Sequence, residues 1–183
     1  MKFNIFCLLF LMLALNGCAS NGQNVKEQSS AQPSTASGTG TLLIKPINFA
    51  KEAYVREAVK KECNLLGKLT QFTQSYAEDQ YAQIITDGNS TSKSAQVLSI
   101  EIEQVQGGGG GAWSGGKMVL INGTLTKNGK VLGSFKGRRY SGGGMFGAYK
   151  GTCAILGRCV KALGRDVAEW LQHPTKQAVL GDL

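Results

Sequence analysis

The sequence has few of the side chains that catalysis and metal binding usually require. Its one histidine, His173, directly precedes Pro174, where we expect it to close a helix and contact terminal carbonyl groups. No serine nucleophile elbow and no HExxH motif is present, and no two cysteines have the CxxC spacing of a zinc site. These absences predict a protein that is not an enzyme and that binds no metal or other cofactor.

The sequence also lacks an apolar run long enough to cross a bilayer as a helix. Its longest run extends from Ile5 to Leu15, whereas a transmembrane helix needs roughly 20 residues. Lys2 precedes the run, and Gly17 and Cys18 follow it. A positive charge, a short apolar segment and a small residue are, in that order, the parts of a secretory signal peptide. We therefore predict a signal peptide over residues 1–17.

The end of this signal, Leu15-Asn16-Gly17-Cys18, resembles the lipobox of bacterial lipoproteins, although Asn16 replaces the small or β-branched residue that is usual there. The resemblance implies that Cys18 begins the mature protein and anchors it to membrane lipid through acyl chains. Ala19-Ser20, and no aspartate, follow Cys18. In Gram-negative lipoproteins this implies the outer membrane, with the folded domain in the periplasm.

Large apolar side chains are also scarce in the segment that follows Cys18. Apart from Val25 it consists mainly of Ser, Gln, Asn, Thr, Gly and Pro as far as Thr41. Such a composition cannot bury enough surface to offset the entropy of ordering. We predict an acylated cysteine and disordered tether over 18–40, a single α+β domain over 41–174 and a C-terminal tail over 175–183.

Periodic patterns from Thr41 onward predict the fold. Residues 95–105 alternate apolar and polar, as in a half-exposed strand, and Asn128-Gly129 predicts a tight hairpin in which Leu125 faces Leu132. The prediction is an α+β fold with a mainly antiparallel sheet of about four strands and two helices on one face. The four predicted strands cover 41–47, 95–105, 117–127 and 130–140, and residues 81–86 are a candidate for a further short strand. The first helix begins at Lys51, is kinked or divided into two pieces at Gly67 and ends near Asp79, and the last helix covers 156–171.

The cysteines allow one disulfide in the mature chain. Cys7 leaves with the signal and Cys18 is acylated, so three cysteines remain for an oxidising compartment. Cys153 and Cys159 in one helix would be ~9 Å apart along its axis, beyond disulfide reach. Antiparallel helices on one sheet face would instead bring Cys63 beside Cys153. We predict a Cys63–Cys153 bridge with Cys159 as a free thiol; the alternative, Cys153–Cys159, requires Cys153 to precede the last helix.

Acidic residues are absent between Glu103 and Asp166, an interval that contains ten lysines and arginines. Arginine makes planar, bidentate contacts with phosphate and carboxylate groups. Nucleic acid is not expected as a partner outside the cytoplasm, which leaves anionic envelope material. The candidate anion-binding residues are Arg138, Arg139, Arg158, Lys161 and Arg165.

Two glycine-rich stretches bear on function. Gly107–Gly111, followed by Gly115-Gly116-Lys117, superficially resembles a phosphate loop, but neither Ser or Thr nor a helix follows Lys117. We interpret it as a linker between strands. The second stretch, Gly142–Tyr149, mixes glycine with large apolar residues. It could cap the core, contact lipid or form an oligomer contact.

The segments Gly151–Arg158 and Lys161–Leu171 resemble the uncharacterised small lipoproteins of Gram-negative bacteria, whose domains have no established function. The resemblance implies a relative and no activity. With the charge pattern, it predicts a membrane-anchored periplasmic lipoprotein that acts as a binding or accessory module for an anionic envelope component or an envelope protein. The alternative is a structural subunit of an oligomeric envelope assembly or secretion complex. In that case the protein could form a homo-oligomer, with Gly142–Tyr149 as the contact between subunits.

Overall fold

The structure, a computed structural model, describes residues 38–87, 94–107, 116–142 and 151–183. Cys18 and most of the predicted tether lie outside these ranges, and so does most of Gly142–Tyr149. The predicted α+β class is confirmed. The strands are β1 (Thr41–Ile44), β2 (Asn48–Tyr54), β3 (Gln83–Ile85), β4 (Gln96–Gln106), β5 (Lys117–Lys127), β6 (Lys130–Ser141) and β7 (Ala178–Gly181), and the helices are α1 (Glu57–Glu62), α2 (Leu65–Ala77) and α3 (Thr152–Gln172).

The sheet is mixed and has seven strands, in the order β3-β1-β4-β5-β6-β7, with β2 also paired to β4. Among the described strands, only the β4–β5 and β5–β6 pairings are antiparallel. β1 and β2 both run parallel to β4, one on each side of Pro46, which cannot donate a ladder hydrogen bond. The prediction of a mainly antiparallel, four-stranded sheet was therefore wrong, because the parallel neighbours pair over long sequence distances that periodicity does not report.

The helix predicted from Lys51 begins only at Glu57, because β2 occupies residues 48–54. β2 pairs Phe49 with Ile102, where β4 continues beyond its pairing with β1 and its backbone groups need partners. The break between α1 and α2 also differs from the prediction. It lies at Asn64, which adopts a left-handed conformation with φ of 45°, whereas Gly67 lies inside α2. Asparagine tolerates this conformation better than most residues do.

The hairpin between β5 and β6 confirms the turn predicted at Asn128-Gly129, which have φ values of 50° and 75°. The register differs by one residue from the prediction. Leu125 pairs with Gly133, because an extra residue on β6 forms a bulge between this pair and the turn. The predicted pairing of Leu125 with Leu132 was therefore wrong.

The segment predicted as a C-terminal tail contributes the last strand of the sheet. β7 lies parallel to β6, with Ala178 paired to Phe135. The carbonyl oxygen of Thr175 accepts hydrogen bonds from the Ser134 N–H at 3.0 Å and from Trp170 Nε1 at 3.3 Å. The sequence did not predict this strand, because a segment of four residues is too short for an alternating apolar pattern to be recognised.

One hydrophobic core lies between the helices and the sheet. It includes Val59 from α1, Leu69 from α2 and Leu163 from α3, together with Ile100 and Ile121 from the sheet. Residues at the alternate positions of β4, such as Ser99, Glu101 and Glu103, are not buried. The helices therefore cover one face of the sheet, as predicted, and the acidic face of β4 is open to solvent.

Gly164 allows α2 and α3 to approach closely, and we expect Gly164→Ala to lower the free energy of unfolding by about 1–3 kcal/mol. A Cβ at this position would lie 2.7 Å from Phe72 Cβ and 2.9 Å from the Thr73 backbone nitrogen. Overpacking should exceed the gain in helix propensity, which is about 1 kcal/mol. Urea denaturation followed by circular dichroism measures the difference.

The matched control is Gly157→Ala in the same helix. Nothing in the described part of the chain lies within 4 Å of a Cβ at Gly157, so this variant should gain about 0.5–1 kcal/mol. Equal effects of the two substitutions would show that the contact between α2 and α3 does not depend on the absence of a side chain at Gly164.

Candidate functional site

A disulfide joins Cys63, at the end of α1, to Cys153, in the first turn of α3. It confirms the predicted bridge. Cys153 lies inside α3 together with Cys159, so the alternative bond between those two is excluded by their separation along the helix. An open cleft of about 170 Å³ lies beside the bridge and includes both bridged cysteines in its lining.

Cys159 is a free and buried thiol. Burial raises the pKa of this thiol to about 11, so it is protonated at neutral pH. Its Sγ donates a hydrogen bond to the carbonyl oxygen of Lys117 at 3.6 Å. Because the thiolate is the reactive form of cysteine, this residue has the properties of a core side chain and not of a nucleophile.

Arg139 is the centre of an ion-pair network at the end of β6. Its Nε and Nη2 donate to the two carboxylate oxygens of Asp166 on α3, each at 2.7 Å, and its Nη1 donates to Asp182 Oδ1 at 3.0 Å. The hydrogen bonds with Asp166 above all raise the pKa of Arg139 above its ordinary value. Only 6% of the Asp166 side chain is exposed, so this bidentate pair joins α3 to β6 away from bulk water.

The Arg138 side chain also contacts Asp182, at the backbone carbonyl group of that residue. Its Nε donates to the carbonyl oxygen of Asp182 at 3.1 Å, and its Nη2 donates to the same oxygen. Asp182 in turn donates its N–H to the carbonyl oxygen of Arg138 at 2.8 Å and accepts from the Tyr140 N–H at 2.8 Å. The structure thus places the first two predicted anion-binding residues in contacts within the chain.

The other three predicted residues, Arg158, Lys161 and Arg165, form the basic face of α3. All three are exposed. Arg165 Nε lies 3.6 Å from Glu169 Oε1 and its Nη2 lies 3.9 Å from Asp166 Oδ1. Neither Arg158 nor Lys161 forms an ion pair within the ranges that the structure describes. On this face, Arg158 and Lys161 are therefore the cations without a carboxylate partner, and Lys161 Nζ lies 6.0 Å from the centroid of the Phe72 ring.

Two open clefts border this face, one on each side of α3. The α2-side cleft, of about 180 Å³, lies between Tyr76 and the three basic residues. The β6-side cleft, of about 260 Å³, is lined by Arg139, Tyr140 and Asp182 among others. Both clefts include Arg158 and Ala162 in their linings. The basic face is therefore a ridge between two concave surfaces.

Four residues of this region were missed by sequence reasoning. Asp166 is charged and follows the exposed Arg165, which favours the polar side of the last helix, but it is buried and faces Arg139. A signal was present, because Asp166 lies between the core residues Leu163 and Val167 of the apolar stripe. No sequence signal indicates Tyr76, Tyr140 or Asp182, which reach the site only through the pairing of distant elements.

The open face of the sheet carries a smaller polar cluster. Lys136 Nζ lies 2.9 Å from Glu103 Oε2, and Asn122 Nδ2 donates to Glu103 Oε1 at 2.8 Å. The hydrogen bond from Lys136 holds the pKa of Glu103 below its ordinary value. The carboxylate is thus ionised and paired, which is the arrangement of a solvated surface contact and not of a general acid.

A metal site and a membrane-spanning helix are both absent from the described ranges. These ranges contain no group of three or more His, Cys, Asp or Glu side chains arranged to hold a metal ion. No helix in those ranges is both long and apolar enough to cross a membrane. His173 is exposed at the end of α3, where its N–H bonds the Trp170 carbonyl oxygen at 3.1 Å.

No family model matches the sequence, and no curated protein matches it. Solved structures share its fold. An uncharacterised protein superimposes with a TM-score of 0.50 at 12% identity, over 73% of this chain and 93% of the other. At that identity the likeness establishes the fold alone.

Two further solved structures have lower scores. A Xanthomonas campestris protein from a family of unknown function has a TM-score of 0.48 at 13% identity, over 76% of this chain and 87% of its own. A minor lipoprotein from Acinetobacter baumannii has a TM-score of 0.43 at 11% identity, over 75% of this chain and 96% of its own. TM-scores below 0.5 do not support any inference about function, so a function for this protein must be inferred from its own surface.

Proposed function

We propose that this protein is a membrane-anchored, non-catalytic periplasmic module that binds an anionic component of the cell envelope on the basic face of α3. One observation carries the proposal. Arg158 and Lys161 are exposed on α3, three residues apart and on one side of the helix, and form no ion pair among the described residues. A ligand with phosphate or carboxylate groups would supply the missing partner.

The surrounding charges support this assignment. Asp166 and Asp182 are both engaged with Arg139, and Glu169 lies near Arg165. The nearby carboxylates are therefore already paired, and they reduce the attraction of Arg158 for an anion only in part. Arginine also offers two parallel N–H donors to a carboxylate or phosphate, which gives orientation as well as affinity.

The charge-reversal variant Arg158→Glu/Lys161→Glu tests the proposal. Binding of the full-length protein to anionic envelope material, such as purified lipopolysaccharide, should fall by at least about tenfold at low ionic strength. Wild-type binding should also weaken as salt approaches physiological levels, where exposed charges are screened beyond about 8 Å. Surface plasmon resonance at two salt concentrations measures both effects.

The control is Lys127→Glu/Lys130→Glu, which reverses the same number of charges next to the β5–β6 turn. Lys127 and Lys130 are exposed and lie opposite each other in the backbone register of the hairpin. If this control variant loses as much affinity as the α3 variant, the net charge of the protein and not the basic face of α3 determines affinity. Retention of full binding by the α3 variant would contradict the proposal directly.

The membrane anchor is the second part of the proposal and rests on Cys18. We expect Cys18→Ser to release the protein from the membrane fraction, or to leave it as the larger unprocessed precursor, because serine cannot form the thioether that carries the lipid. Fractionation followed by intact mass measurement distinguishes these products. An unchanged mass and unchanged membrane attachment in the variant would refute acylation at Cys18.

A second candidate function is a subunit of an oligomeric envelope assembly, and β7 favours it. β7 is an edge strand of the sheet, and Val179 and Leu183 are exposed at this edge. Unpaired edge strands readily pair with other chains. Sedimentation velocity would favour this candidate if the wild type formed a defined oligomer that Val179→Lys dissociated.

A further inference from the structure

The chain enters the folded domain on the side of the helices. Gly38, the first residue that the structure describes, lies against the backbone of Gln80. The carbonyl oxygen of Gly40 accepts a hydrogen bond from the Ala82 N–H at 3.0 Å. The tether predicted over 18–40 therefore joins the domain beside the segment that directly follows α2.

This entry point is close to the α2-side cleft. Gln80 Nε2 donates a hydrogen bond to the carbonyl oxygen of Ala168 on α3 at 2.9 Å. Gln80 comes four residues after Tyr76, and Ala168 comes three residues after Arg165, so each is about one helical turn further along. Tyr76 and Arg165 both line the α2-side cleft. The predicted anchor is therefore connected to the domain about one turn from that cleft.

The cleft is part of a wider surface formed by both helices, which we call the α2–α3 face. On α2 it contains Lys68, Phe72 and Tyr76, which are four residues apart and so share one side of that helix. On α3 it contains the basic face, and the Phe72 ring lies beside Lys161 Nζ. Lys68, like Lys161, forms no ion pair within the described ranges. The α2–α3 face therefore combines two aromatic rings with four cations.

The spacing of these cations favours a charged surface over one small anion. Arg158 and Arg165 are seven residues apart, about 10 Å along α3, and Lys68 is on the neighbouring helix. A single phosphate group cannot contact all of them, whereas a layer of lipid headgroups presents many phosphates. Each lysine or arginine near an anionic bilayer strengthens binding by about fivefold. Tyrosine is enriched at the level of the headgroups, because its ring is apolar and its hydroxyl group is polar.

Acidic residues flank the α2–α3 face at both ends. Glu78 and Asp79 are exposed directly after α2, and Glu169 Oε1 lies 3.6 Å from Arg165 Nε. At the other end, Glu62 lines the cleft beside the first turn of α3. Anionic headgroups would repel these carboxylates. The closest contact with headgroups therefore involves the cations in the middle of the face, which are Lys68, Arg158 and Lys161.

The predicted tether keeps this face near the bilayer. Residues 19–37 lie between Cys18 and Gly38, and a flexible chain of that length spans about 25 Å on average. A domain of this size has a radius of gyration of about 15 Å, so the bilayer stays within reach. The anchor thereby supplies an effective concentration on the order of millimolar, at which even weak docking is populated.

We infer that the α2–α3 face docks onto the anionic phospholipid headgroups of the membrane that holds the anchor, with Tyr76 at the level of the headgroups. This inference rests on the proposed function and names the anionic component that the basic face of α3 binds. Docking turns the helices towards the bilayer and leaves the open face of the sheet directed away from it.

The experiment compares the full-length protein in two kinds of vesicle, into which it is reconstituted through its anchor. One kind is pure phosphatidylcholine, and the other is an equal mixture of phosphatidylcholine and phosphatidylglycerol. A fluorophore on Ser75→Cys, next to Tyr76, reports on the α2–α3 face, and the same fluorophore on Ser99→Cys reports on the open face of the sheet. Neither the bridged cysteines nor the buried Cys159 should react with the label.

Quenching of the Ser75→Cys label by acrylamide should fall by about half in the mixed vesicles, because docking shields this label from water. Quenching of the Ser99→Cys label should be the same in both kinds of vesicle. Adding Arg158→Gln/Lys161→Gln should weaken docking by about 25-fold, since each cation contributes about fivefold. Tyr76→Ser should weaken docking by at least about threefold, through the exposed part of its ring.

The matched control is Lys127→Gln/Lys130→Gln, which removes the same charge next to the β5–β6 turn. It should dock as the wild type does. Inorganic phosphate added at constant ionic strength should not release the domain, because one phosphate does not reach from α2 across the basic face of α3.

The outcomes separate the inference from the proposed function. If the Ser75→Cys label is quenched equally in both vesicles while lipopolysaccharide still binds through Arg158 and Lys161, the membrane inference is overturned and the proposed function stands. Release by inorganic phosphate, or equal shielding of the two labels, would also overturn the inference. If neither the mixed vesicles nor lipopolysaccharide bind through these residues, both the inference and the proposed function fail.

Discussion

Breaking the Cys63–Cys153 bridge will lower the free energy of unfolding by about 2–5 kcal/mol. The bridged residues are 90 positions apart, and the closed loop contains α2 and four strands from β3 to β6. A loop of this length restricts the unfolded chain strongly, so its release should cost close to the upper part of that range. The bridge also ties the end of α1 to α3 directly, which keeps the two helices together when the sheet loosens.

The measurement is urea denaturation of the Cys63→Ala/Cys153→Ala variant against the oxidised wild type. The wild type under reducing conditions provides a second comparison, and the open cleft beside the bridge gives a reductant access. Cys159→Ala is the control, because it removes a buried sulfur of the same size without opening a loop. If this control loses as much stability as the double variant, core packing and not the cross-link accounts for the effect.

Arg139→Met will lower the free energy of unfolding by about 3–5 kcal/mol, because the Asp166 carboxylate stays buried without its hydrogen-bonded cation and keeps only Arg165 Nη2, 3.9 Å away. Arg139 supplies both hydrogen bonds to that carboxylate at 2.7 Å and also holds Asp182. The loss should be greater than for Arg138→Met, whose guanidinium bonds only the carbonyl oxygen of Asp182 within the described residues. Chemical denaturation of each variant gives the comparison.

Restoring stability with a second substitution tests the stated cause. Adding Asp166→Asn to Arg139→Met removes the unpaired charge, so the double variant should recover a large part of the loss. A double variant no more stable than Arg139→Met would mean that arginine's packing, and not its charge, maintains the contact between α3 and β6. The same cycle also separates this structural role from anion binding, since Arg158 and Lys161 are unchanged.

Local patterns predicted the elements whose partners are close in sequence. The positive φ values at Asn128 and Gly129 follow from residue types that tolerate them, and the apolar stripe of α3 follows from helical spacing. The disulfide was predictable because α3 and α1 had to lie on one face. Each of these depends on local geometry or on one simple packing rule.

The features that the sequence did not predict depend on contacts between elements that are distant in the chain. Phe49 lies in a strand because β4 offers backbone partners at Ile102, a fact that no local window contains. Asp182 became part of the site for the same reason, since β7 carries it beside Arg138 and Arg139. The basic residues themselves were visible from composition, but which of them were already paired depended on Asp166 being buried.

The position of β7 also affects how the protein can be made and handled. β7 follows its sheet partner β6 in the chain with α3 between them, and until β7 docks, β6 presents an unpaired edge that can join another chain. Deleting residues 174–183 would leave Arg138 and the edge of β6 uncovered, and we expect the shortened protein to aggregate more readily than the small size of the deletion suggests.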